Sequence, residues 1–65
     1  MQITVNGETV TTEPVTVLAY LESIGIDPRR VAVELNRDIL PKAEYPATLL
    51  AEGDQIEIVQ FVGGG

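Results

Sequence analysis

Sixty-five residues allow one domain, and a chain this short buries only about 60 % of the surface it exposes when unfolded, so core and substrate pocket would compete for side chains. Four Lys and Arg against ten Asp and Glu give a net charge of −6 with no basic run, which disfavours phosphate backbones and anionic membranes and points to a basic partner. The chain has no Cys and no His, which removes thiolate nucleophiles, disulfides, the near-neutral proton shuttle and the commonest metal ligand. With 45 % apolar residues it is still oily enough to fold alone. No apolar run approaches the roughly 20 residues of a bilayer crossing and no signal-peptide pattern opens the chain, so a cytoplasmic location is expected.

Ile3 and Val5 alternate with Gln2 and Thr4, Asn6-Gly7 follows, and Glu8 to Thr12 resumes in β-favouring residues. Asn-Gly between such runs predicts a two-residue hairpin, because both residues tolerate the positive φ that a type I′ turn demands. Glu13-Pro14 ends the second strand. Thr16 then caps a helix of about two turns, with Val15 and Tyr20 at staple spacing, Val17, Leu18, Leu21 and Ile24 on one face, and Gly25 as the left-handed stop. A helix so short forms by packing its Leu21 face on a sheet.

Val31, Val33 and Leu35 alternate with Ala32 and Glu34 as a third strand, Asn36-Arg37-Asp38 turns, and Ile39-Leu40-Pro41 is a brief extended piece. Lys42 to Leu50 reads as a loop with one helical turn, since Tyr45-Pro46 forbids a longer helix. Glu52-Gly53-Asp54 launches a final strand, Gln55 to Val62, which runs into Gly63-Gly64-Gly65. The pattern predicts an α+β domain over residues 1–62: a β-grasp, ubiquitin-like mixed sheet of four to five strands with one main helix on one face. A right-handed crossover through the helix makes the third strand parallel to the second within that sheet. Residues 63–65 form a flexible glycine tail.

A folded core has no use for three closing glycines, which add no packing area and cost the most backbone entropy. Their use is access. Val62 to Gly65, extended, reach about 13 Å and fit a slot too narrow for side chains, delivering the terminal carboxylate into another protein's active site. A carboxylate resists nucleophilic attack until a partner activates it, for instance as an acyl-adenylate. A frayed or artificial end is the plainer explanation of such a tail. If Ile56 and Ile58 face the helix, then Glu57, Val59 and Phe61 face solvent, and Val59, Phe61 and Val62 become candidate partner contacts beside the tail. The scattered glutamates, with Arg29, Arg30 and Lys42, read as solvated surface. Tyr20 and Tyr45 read as core or staple residues with hydroxyls at the surface.

Arg29 to Asn36, Ile39 to Lys42 with Tyr45 behind them, Glu52 to Val59 and the Phe61-to-Gly65 ending together resemble the ThiS sulfur carriers of thiamine biosynthesis over essentially the whole chain. The Gly-Gly ending is common to all ubiquitin-like carriers. The segments VAVELN, Pro-Lys followed by an aromatic, and Gly-Asp-x-Ile-Glu-Ile discriminate better. The resemblance implies a carrier without catalysis or cofactor of its own and monomeric when free. Gly65 would be adenylated by a ThiF-type enzyme using ATP and magnesium, then converted to a thiocarboxylate with sulfur from a cysteine desulfurase. The thiocarboxylate would supply thiazole synthase, while Gly64, with Gly63, threads the tail. Carriers for molybdopterin, tRNA thiolation or cysteine synthesis, and a binding module with an inert tail, are the alternatives.

Overall fold

The computed structural model describes residues 1–61. A five-stranded mixed sheet of order β2-β1-β5-β3-β4 carries one helix. Its strands are β1 (Gln2–Val5), β2 (Glu8–Thr11), β3 (Val31–Leu35), β4 (Asp38–Leu40) and β5 (Gln55–Gln60), and helix α1 spans Val17–Ser23. β1 and β2 pair antiparallel through Asn6 and Gly7, whose φ angles of 48° and 85° are those the type I′ turn requires. β3 and β4 form a second two-residue hairpin through Asn36 and Arg37, at φ 51° and 74°. Only a turn was legible there, because Arg is an unusual occupant of a position that favours glycine. β3 runs in the direction of β2, as the crossover predicts, but β1 and β5 lie between them.

α1 begins where the sequence places it. Thr16 is extended (φ −71°, ψ 161°), and its side chain accepts from the Ala19 N–H at 3.1 Å. Loop carbonyls take the other first-turn donors: Val17 N–H donates to Thr48 O and Leu18 N–H to Tyr45 O, at 2.9 and 3.0 Å. Gly25, at φ 78°, ends the helix. Val17, Tyr20 and Leu21 then meet Ile3, Val31, Val33, Ile56 and Ile58 in a single core.

The segment Lys42 to Leu50 contains the expected helical turn, a 3-10 turn at Lys42–Glu44, but is no mere connector. Tyr45 and Leu50 are core residues, and Leu49 bridges to Thr16. The Tyr45 hydroxyl, expected at the surface, is instead buried. The Val33 backbone bears on it without completing a hydrogen bond, and burial raises the phenol's pKa. Tyr20 is buried as well, with its pKa raised for the same reason.

β5 occupies the centre of the sheet, antiparallel to β3 and parallel to β1. The parallel ladder extends only over Thr4↔Gln55 and Val5↔Ile56. Beyond it, Asn6 continues the pairing with its side chain: Nδ2 donates to Ile58 O at 3.1 Å and Oδ1 accepts from Ile58 N–H at 2.7 Å. Asn36 works on the other flank, accepting from Gln55 N–H at 2.9 Å and donating to the Asp54 carboxylate at 3.0 Å. Two asparagines at hairpin corners thus clamp the central strand from both sides.

Candidate functional site

The end of β5 is where sequence reasoning locates the site. Ile56 and Ile58 point to the helix and are buried, so the period-two rule turns Glu57, Val59 and Phe61 to the open face. Val59 is 58 % exposed and Phe61 57 %. Ala32 lies opposite Val59 on β3, and Ile39, 79 % exposed, is paired with Glu34 two residues further along β3. Ile39, Ala32, Val59 and Phe61 therefore make a diagonal apolar run across the open face.

The β5 ladder stops at Gln60, two residues short of the strand expected from sequence, because β3 begins only at Val31, after the 3-10 turn Pro28–Arg30. One backbone bond carries the order a residue further: Phe61 N–H donates to Arg30 O at 2.9 Å. The candidate residues Val62, Gly63, Gly64 and Gly65 lie outside the described residues.

Around Phe61 the structure assembles side chains that look unremarkable in sequence. Lys42 Nζ sits 5.3 Å from the centroid of the Phe61 ring, within cation–π range, and donates to Arg29 O at 2.9 Å. Arg29 closes a fork on Asp27: Nη2 to Oδ2 at 2.9 Å and Nε to Oδ1 at 3.1 Å, with the Arg29 N–H also donating to Oδ1. These hydrogen bonds hold the Asp27 carboxyl at about 2, well below the usual range. Beside them a cleft of about 280 Å³ opens between the end of α1 and the end of β5, lined by Ile26, Asp27, Arg30, Gln60 and Phe61 among others. Arg30, directly across from Phe61, forms no ion pair among the described residues. In the sequence Lys42 and Arg30 read as solvated surface charges, and the Pro-Lys-plus-aromatic segment is the one signal there that marks out Lys42.

Among the described residues no group of three or more His, Cys, Asp or Glu is placed to hold a metal ion, and no helix is long and apolar enough to cross a membrane. What the site offers is an exposed apolar strip and a basic cluster at the point where the chain leaves the sheet.

The ThiS family model matches residues 2–65. The chain belongs to the ThiS family. The crystal structure of the thiamine biosynthesis protein ThiS from Geobacter metallireducens superposes with a TM-score of 0.84 at 35 % identity, covering 100 % of both chains. The sulfur carrier protein ThiS of Thermus thermophilus is 37 % identical over 60 residues, 92 % of this chain and 94 % of that one. A thiazole synthase of Paramagnetospirillum magneticum is 44 % identical over 66 residues, which is 100 % of this chain but 20 % of the synthase. The chain thus spans about a fifth of the length of the thiazole synthase relatives it matches. The β-grasp fold expected from the strand pattern is that of the family's solved structure.

Proposed function

We propose that this chain is a sulfur carrier of thiamine biosynthesis whose working group is the Gly65 carboxylate. Family membership across residues 2–65, ending on Gly63-Gly64-Gly65, is the observation that carries the reading. A ThiF-type partner spends ATP with magnesium to join the carboxylate to AMP, releasing pyrophosphate. Sulfur leaves the desulfurase as a persulfide; a thiol supplies the two electrons that bring it to the sulfide level and is itself oxidised to a disulfide, AMP departs from the acyl carbon, and the carrier leaves as the thiocarboxylate. Sulfur improves the nucleophilicity of the acyl end, and the chain keeps that reactive group tethered for thiazole synthase. The catalytic groups belong to the partners, consistent with a chain free of His and Cys.

The body's role is presentation. Val59 and Phe61, with Val62 following, offer the partner an apolar contact at the root of the arm, while Gly63 and Gly64 thread a passage that a Cβ would block. Thiazole synthase as recipient is supported by the relatives bearing that name, a fifth of whose length aligns with this whole chain. Cytoplasmic location accords with this partner set. Deleting Gly65, or appending one residue after it, abolishes sulfur loading in the presence of ATP, adenylating enzyme and sulfur source while leaving the far-ultraviolet circular dichroism unchanged. Loading that survives either change refutes the assignment to Gly65.

A further inference from the structure

The charges of this protein are unevenly placed. Three of its four cationic side chains gather at the exit of β5: Arg30 across from Phe61, Lys42 over the Phe61 ring, and Arg29 beside them. Arg37, the fourth, sits in the β3–β4 turn at the far end of β3. Asp27 is ion-paired with Arg29 and also feels the charge of Arg30, so one carboxylate among three cations leaves the cluster with a net charge of +2. The remainder of the chain then carries −8. Lys42 is held rather than free, by the Arg29 carbonyl and by the aromatic ring.

From this asymmetry we infer that the partner that takes the tail presents an acidic rim around its active-site entrance, and that Arg30 and Lys42 orient the encounter so that the tail enters first. The inference rests on the carrier function proposed above. It reverses the expectation of a basic partner that net charge alone suggests. A basic entrance would attract the acidic body in many orientations and repel the collar at the root of the tail, whose two positive charges outweigh the single negative charge of the terminal carboxylate. An acidic entrance repels the body and attracts only the collar at the root of the tail, so attraction and productive orientation coincide. Four residues follow Phe61, a reach of at most about 13 Å, which lets the collar meet the rim while the carboxylate reaches the interior.

The Lys42 ammonium keeps donors beyond the one given to Arg29 O, and the Arg30 fork suits bidentate carboxylate recognition. Glu44, near Lys42 in the 3-10 turn, offsets part of the field and makes the two cations' fixed positions matter more than their number.

The test is stopped-flow association of the ThiF-type adenylating enzyme with wild type, R30E/K42E and R37E, at low and high salt, together with thiocarboxylate yield at saturating carrier. R30E/K42E is expected to slow association about tenfold at low salt, with the gap closing as salt screens the field. R37E, away from the collar, is expected to stay within about twofold of wild type. R30A/K42A, which adds no new charge, should fall between wild type and the reversal. At saturating carrier R37E loads sulfur as fully as wild type. Faster or unchanged association of R30E/K42E overturns the inference, as does an equal loss in R37E. Failure of wild type itself to gain sulfur overturns the carrier reading instead.

Discussion

Asn6→Gly isolates the clamp that fixes the end of β5. In the antiparallel β3–β5 ladder the hydrogen-bonded pairs are Arg30 with Phe61 and Asn36 with Gln55 and those between at alternate positions, so Val33↔Ile58 is a non-hydrogen-bonded pair. The Ile58 N–H and C=O therefore point toward β1, and Asn6 satisfies both through its side chain at 2.7 and 3.1 Å. Glycine keeps the positive φ of 48° without strain, so the substitution removes the amide and little else of the turn. Two partly buried hydrogen bonds at about 1 kcal/mol each, plus about 0.5–1 kcal/mol for the freer unfolded chain, give a loss of about 2.5–3 kcal/mol. In a domain of this size that lowers the thermal midpoint by about 10–20 °C. Circular dichroism melts supply the midpoint, and amide exchange supplies the local signature, a selective loss of protection at Ile58. A loss below about 0.5 kcal/mol with Ile58 protection intact would refute the clamp.

Tyr45→Phe removes a buried hydroxyl that lacks a hydrogen-bond partner while keeping the ring, and should raise stability by about 1 kcal/mol in urea unfolding. Arg37→Gly should gain about 0.5–1 kcal/mol, because relief of the φ of 74° outweighs the entropy of an added glycine. Asp27 should titrate at about 2 by NMR, since the Arg29 hydrogen bonds favour its ionised form. A depressed folded-state pKa means that the stabilisation from this pair is present above the usual carboxylate range and disappears as pH falls through that range toward about 2. Asp27→Asn should accordingly differ from wild type at neutral pH and converge with it in acid.

Local chemistry was legible in the sequence where one residue and its neighbours settle the conformation. Asn6-Gly7 and Gly25 have few other uses, Thr16 stands immediately before the apolar helical stripe, and the alternation through Ile56 and Ile58 assigns Val59 and Phe61 to solvent. Long-range contacts were not legible. Tyr45 lies in a segment with Pro and no periodicity, and it enters the core where the helix N-terminus borrows the carbonyls of that segment. The place of β5 between β1 and β3 depends on contacts some 20 to 50 residues apart, such as Asn36 to Gln55 and Asn6 to Ile58. Lys42 and Arg30 look like ordinary surface charges until the fold brings them to Phe61. The exposure of Val59 and Phe61 was therefore readable in the sequence, the arm from Val62 to Gly65 lies outside the described residues, and the basic collar emerged only from the structure.

The central claim, that the acyl group at Gly65 carries sulfur, is tested most directly by intact mass spectrometry of the protein after incubation with ATP, magnesium, a ThiF-type enzyme and a cysteine-derived sulfur source. The account predicts exchange of one oxygen for one sulfur, mapped by fragmentation to Gly65 and reversed when thiazole synthase turns over. An unchanged mass, or sulfur found on any other residue, would contradict it.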